Sequence, residues 1–230
     1  TSFTTGIQAN IVAASGVMID VSGVIMKDIS ASGGANFRAT NSVDNGNNLG
    51  WTFPAYVGQN LYWVGGSGNW NDKIHWSQTS GGIGGYCVPG PADNTFFDAG
   101  SGFSETNKTV NIDNISYTRN VTFSGSTVAP ILKQSGAQNL NIYGSSEWQA
   151  SMVDIFVNYI YYRHTGEAKT IKSNGVKINS EVFFEEENSI SLLDDLHLKT
   201  KLNQVAGTWN TNGHKVTLET SFESKGTKPR

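Results

Sequence analysis

The chain has 230 residues, enough to bury a core in one elongated or two compact domains. Only 15% of them are charged and the net charge is -3, which excludes the basic footprint of a nucleic-acid binder or of a protein held on anionic membrane. Twenty-six glycines and recurrent Asn, Ser and Thr disfavour helix and favour short strands joined by tight turns, while aromatics at 11% supply the large buried surfaces that a disordered chain lacks.

Taken in chain order, residues 16–34 alternate Val17, Ile19 and Val21 on one strand face, break at Ser22-Gly23, and resume with Val24, Met26 and Asp28. That pattern fits a hairpin or two sides of a solenoid coil. Phe37 and Ala39 alternate next, a polar turn cluster covers 41–48, and Trp51 and Phe53 lead to a break at Pro54. Residues 56–105 place Trp63, Trp70 and Trp76 within fourteen positions among glycines and turn signals, and read as an irregular connecting and capping block. From 106 onward short strands return. Val110 and Ile112, Val121 and Phe123, and Leu140 and Ile142 alternate, and the β-branched and aromatic content of 151–166 makes that segment strand rather than helix.

The clearest internal signal is a gapless repeat: residues 173–185 align on 211–223, sharing [S/T]-N-G-x-K-[I/V] and then Glu, Phe and Glu, 38 positions apart. Asn174-Gly175 and Asn212-Gly213 supply left-handed corners, and the offset suits two coils of about twenty residues. The predicted class is therefore all-β, parallel β-helix segments joined by the Trp/Gly block. A sandwich is the alternative. The predicted organisation is 1–55, the end of a preceding β-rich module; 56–105, the block; and 106–230, a β-helix body continuing beyond 230.

Cys87 is the single cysteine, so no intrachain disulfide can form, and burial as a small apolar residue is expected. A thiol served by His75 or His164 is the less favoured alternative. The chain reads as a mature or excised internal segment, and no apolar run approaches the ~20 residues of a membrane helix.

The block W-V-G-G-x-G-N-W-x-D-x-x-H-W-S (63–77), S-G-G-x-G-G (80–85), V-P (88–89) and D-x-x-x-F-D-A (93–99) resembles a module repeated in giant secreted surface proteins of Bacteroidota, the gliding-type adhesins among them. Residues 33–53 resemble the usual ending of a preceding module, and 170–218 the β-helix body that follows. The resemblance implies a β-helix-rich stalk, type IX export across the outer membrane, attachment at the cell surface through secretion and anchoring machinery, and contact with an external surface or glycan through other parts of the protein.

Several residues admit both a chemical and a structural reading. Trp70 and Trp76 offer planar faces for sugar rings, whereas with Trp63 they would plug the open end of a β-helix, the reading their repetition in the family favours. Asp44 and Asn45, and Asp93 and Asp98, resemble oxygen-rich calcium turns, but EF-hand spacing is missing and Asx-turns account for them. Glu185, Glu186, Glu187, Asp194 and Asp195 could supply a glycosidase pair, yet no Lys or Arg clusters beside them in sequence, and a solvated corner is the simpler reading. His75, inside the block, is expected to be a packing residue. Sequons at Asn107, Asn114 and Asn120 are expected by chance in so Asn-rich a chain. Phosphate loops, zinc spacing and nucleophilic triads are absent, and the reading is of a non-enzymatic adhesin segment, with a carbohydrate-binding or polysaccharide-degrading β-helix as the alternative.

Overall fold

The structure, a computed structural model, describes residues 6–40, 42–54, 58–153, 155–163, 167–185 and 189–225. It is a parallel β-solenoid, 3% helical and 46% strand, which disposes of the sandwich. The chain divides into two compact units, Thr1–Gly58 and Gln59–Arg230.

In the first unit, Ala9–Val12, Met18–Ser22 and Ile25–Met26 form one three-sided coil, and Ile29–Ser32, Asn36–Thr40 and Val43–Asp44 the next. Each strand pairs in parallel with its counterpart one coil on: Ala9 with Ile29, Ile19 with Phe37, Ile25 with Val43. Trp51–Thr52 extends the middle face, and Phe37 meets Trp51 edge-on at 5.2 Å. The alternation at 17–26 is thus two sides of a coil and not a hairpin. Asp28 falls at a corner, not in a strand: its φ is +57° and it is buried, accepting bonds from Asn47 Nδ2 (2.6 Å) and Gly6 N (3.0 Å). The Asn47 bond, then the Gly6 amide, hold its carboxyl below the ordinary range.

The second unit has three continuous faces. The first carries Asn60–Trp63, Asn94–Phe97, Val121–Phe123, Ser146–Glu147, Lys169–Lys172, Ser189–Leu192 and Thr208–Asn210, the second carries the strand that follows each of these in the chain, and the third begins one coil later, running from Ser116–Thr118 to Phe222–Ser224. Inward positions form unbroken ladders, such as Val110, Leu132, Ile155, Ile178, Leu198 and Leu218 on the second face. Parallel sheets in α/β proteins are covered on both faces. Here one face of each sheet closes the core and the other meets solvent, which explains strict alternation where a doubly buried strand would be uniformly apolar.

The Trp/Gly block is not an insertion between regular bodies. Asn60–Trp63 and Gly68–Asn69 are the first strands of the second solenoid, paired in parallel with Asn94–Phe97 and Thr109–Ile112. The intervening chain loops out and lays Trp76–Ser77 antiparallel on Asn60–Trp63, covering the edge that strand would otherwise present.

Asn174 and Asn212 have φ of 48° and 50°, and the glycines after them 78° and 81°, so both Asn-Gly pairs turn corners in the left-handed region. Each Asn also donates its side-chain amide to a carbonyl of the preceding coil, Trp148 O and Leu192 O, at 2.8 Å. The repeat does span two coils, but ladder register runs from Ile178 to Leu198 to Leu218, whereas the gapless alignment sets Ile178 on Val216. A slip of two residues keeps every inward side chain inward.

The segment that starts at 151 forms strands rather than a helix, as expected: Ile155–Phe156 and Tyr159–Tyr162. The corner between them shifts the phase. Ile155, Val157, Ile160 and Tyr162 point in, while Val153 is 71% exposed.

Candidate functional site

The three signature tryptophans build one end of the core. Trp63, Trp70 and Trp76 are each 0% exposed and surround Phe97, with ring centroids 5.1–5.8 Å apart among the four. Phe97 stacks on Phe123 at 4.0 Å, and Phe123 on Trp148 at 5.6 Å, so the plug continues as an aromatic column through the next two coils. Trp63 Nε1 donates to Gly66 O (2.6 Å) and Trp76 Nε1 to Trp70 O (2.7 Å). Trp70 and Trp76 therefore present no ring face to a sugar.

His75 lies flat on Trp63, centroids 4.6 Å apart and planes 7° apart, with Nδ1 2.8 Å from Val64 O. Gly68 makes this possible: a Cβ there would stand 1.9 Å from His75 Nε2. The glycines of the signature are thus in part steric, admitting an imidazole where any side chain would expel it. Asp72 caps the 3-10 turn Lys73–His75, and Asp98 caps Ala99–Ser101 in a reciprocal box with Ser101.

The positions considered for calcium are engaged in backbone and side-chain bonds. Asp44 accepts from Gly46 N (2.9 Å) and Asn48 Nδ2 (2.6 Å), and the Asn45 amide joins the ladder through Met26 O. Asp93 accepts from Gly90 N (2.8 Å) and Gln59 N (3.2 Å), and Asp98 from Gly100 N (2.8 Å) and Ser80 Oγ (3.0 Å). Among the described residues no three His, Cys, Asp or Glu side chains converge on a metal-sized site.

The carboxylates considered for glycoside hydrolysis separate. Asp194 accepts from the amides of Ser173 (2.7 Å) and Asn174 (2.5 Å), and Asp195 from Lys215 N (2.9 Å), so both serve the corner between the first and second faces. Glu185 follows the third-face strand Glu181–Phe184 and is paired with Arg163, a cation that sequence proximity did not reveal. Glu186, Glu187 and His164 lie outside the described residues. Cys87 is exposed, not buried, because it sits on the excursion after Trp76 rather than in a coil; Gln59 Nε2 donates to its Sγ at 3.3 Å. Partial desolvation raises its thiol pKa, with the Asp93 charge adding to it, which leaves it a poor nucleophile.

One concave feature was not anticipated. On the outer side of the first face two rows run across the coils. Asn60, Asn94, Asn120, Ser145 and Thr170 form one, and Tyr62, Phe96, Thr122, Glu147 and Lys172 the other. The first row is a bonded ladder: Asn94 Nδ2 donates to Asn60 Oδ1 (3.0 Å), Asn120 Nδ2 to Asn94 Oδ1 (2.7 Å), and Ser145 N to Asn120 Oδ1 (2.6 Å). In the second row Tyr62 stacks on Phe96 at 5.1 Å, and Lys172 Nζ donates to Glu147 Oε1 at 2.8 Å, which raises the Lys172 pKa. Small side chains between these bulky ends leave a groove of about 340 Å³, open to solvent, with Leu193 at its far end. Sequence reasoning missed it because its members lie one coil apart in sequence; the available signal was the outward Phe96 beside the inward Phe97.

Fold and site together define a three-sided parallel β-solenoid, aromatic-plugged at the first coil of its second unit. Comparison of the chain with protein-family models, with curated proteins and with solved structures finds no match in any of the three. Among the described residues no helix is long and apolar enough to cross a membrane.

Proposed function

We propose that this chain is a non-enzymatic stalk segment of a large secreted adhesin, exported to and held at a bacterial cell surface, where it carries binding regions away from the cell. One observation carries the reading: the signature residues of the Trp/Gly block go into construction. Trp63, Trp70, Trp76 and Phe97 fill the core, and Asp72, Asp93 and Asp98 cap turns or bind backbone amides. The resemblance noted in the sequence supplies the surface context, and the fold supplies a mechanical rationale. Coils of the second unit are bonded to one another along two faces at the first interface and along three at those that follow, so a load along the stacking direction is divided among several ladders.

Two measurements test this. An antibody against the purified chain is expected to label intact cells of the source organism; labelling only after lysis sinks the surface assignment. Pulled between marker domains, the chain should give way in discrete steps, each releasing about one coil or a small multiple of it, the pattern expected of nearest-neighbour repeat energetics. Featureless extension at low force would remove the stalk role.

A further inference from the structure

We propose that the groove on the outer first face binds a neutral hexopyranose unit of a glycan, the sugar's C–H face lying on Phe96 and its hydroxyls on Thr122, Glu147 and Lys172. The inference stands apart from the stalk reading, since a rod or any other solenoid could carry such a site.

Phe96 is the aromatic wall. One side of its ring is stacked on Tyr62 of the preceding coil, and in the following coil its ladder partner is Thr122. Among the described residues no aromatic ring is seated on the other side, which opens into the groove. A pyranose pairs an apolar C–H face with a rim of hydroxyls, and an aromatic face beside fixed donors and acceptors matches both parts. The polar groups here are held in place: Lys172 Nζ bonds Glu147 at 2.8 Å, and Thr170 N bonds Ser145 Oγ at 2.9 Å.

The charges decide the ligand class. Glu147 and Lys172, the charged side chains that line the groove, are paired with each other, so the lining carries no net formal charge to select a phosphate, a sulfate or a cation. A volume of about 340 Å³ sits at the low end for small-molecule sites and suits one sugar ring rather than an extended peptide. The third face, although richer in aromatics, is less suited. There Tyr161 is stacked on Phe183 at 4.6 Å and lies under the Arg163 guanidinium at 4.1 Å, so its ring is already partnered.

The test uses the full chain with glucose, galactose, mannose, N-acetylglucosamine and their disaccharides at millimolar concentration, read by saturation-transfer NMR and calorimetry. At least one sugar is expected to bind with its ring protons saturated. Phe96→Ala should weaken that binding about tenfold by removing the stacking surface. Thr122→Phe should abolish it by filling the groove while extending the outer aromatic row, with the circular dichroism unchanged. If Phe96→Ala fails to fold, Thr122→Phe decides alone. Binding of none of these sugars, binding of glucuronate but of no neutral sugar, or binding retained in Thr122→Phe overturns the proposal.

Discussion

Lys169 begins a first-face strand at an inward position, two residues before Ile171, and is 1% exposed. Burial draws its ammonium down to about 8 from 10.5, against the opposing pull of Glu167. Below about pH 8 the lysine is charged in both folded and unfolded chains, and the folded state bears the whole desolvation penalty. From there toward pH 10.5 the unfolded chain keeps a proton that the folded chain has released, so stability rises with pH. Tyr162 acts in the opposite sense above its ordinary pKa of 10, because burial makes the folded chain keep a proton that the unfolded chain gives up. The urea midpoint should therefore climb between about pH 8 and pH 10 and then fall, and Lys169→Met should flatten the climb. Equal slopes in the two proteins would show that Lys169 is not the group responsible. Nothing in the local sequence singles out Lys169: alternation marks its position as inward, but the cost of an inward lysine depends on coils stacked above and below it.

At the scale of the element, the corners are the most legible feature. An Asn-Gly pair requires little context to turn through the left-handed region, and Asn174 and Asn212 do so in the same manner, each tied to the coil before it. Replacing Asn174 separates the two contributions. Asn174→Gly loses only the bond to Trp148 O, whereas Asn174→Ala loses the bond and forces a Cβ into positive φ, so the alanine variant should be less stable by about 1–2 kcal/mol in urea denaturation. Equal stability of the two would mean that the corner relaxes out of that conformation. Other corners use different chemistry at the same place. Between Ser189–Leu192 and Leu196–Leu198 the turn is Leu193-Asp194-Asp195, whose carboxylates accept amides from both neighbouring coils. Read along the chain these acids resemble a catalytic cluster, and only the stacking of coils shows them to be braces. The early coils carry no such repeat in sequence for a related reason: Val121, Ser146 and Ile171 are ladder neighbours, yet loops lengthen the chain between them.

For the molecule as a whole, the distribution of buried apolar surface is uneven between the two units. In the first, Met26, Phe37 and Ala39 are the buried apolar side chains among the described residues, and Ile7, Val12, Met18 and Leu49 are each more than half exposed. The second holds a continuous core from Leu61 to Leu202 that includes four buried tryptophans. Hydrogen exchange on the intact chain should therefore show two classes, with amides of 9–52 exchanging through openings of low free energy and the ladders of 94–204 approaching the global limit. Uniform protection across both units would refute that division. The sequence by itself determined the all-β class, the Asn-Gly corners and the preference for a solenoid, because these follow from alternation, local backbone preference and the internal repeat, whereas the structural reading of the tryptophans leaned on the resemblance. Tertiary structure alone decided that the Trp/Gly block is a first coil, that Cys87 is exposed, that Arg163 meets Glu185, and that Phe96, Thr122, Glu147 and Lys172 share one groove. The physical reason is register: a solenoid brings together residues a full coil apart, and the length of each coil is set by how its loops close, which no local pattern encodes.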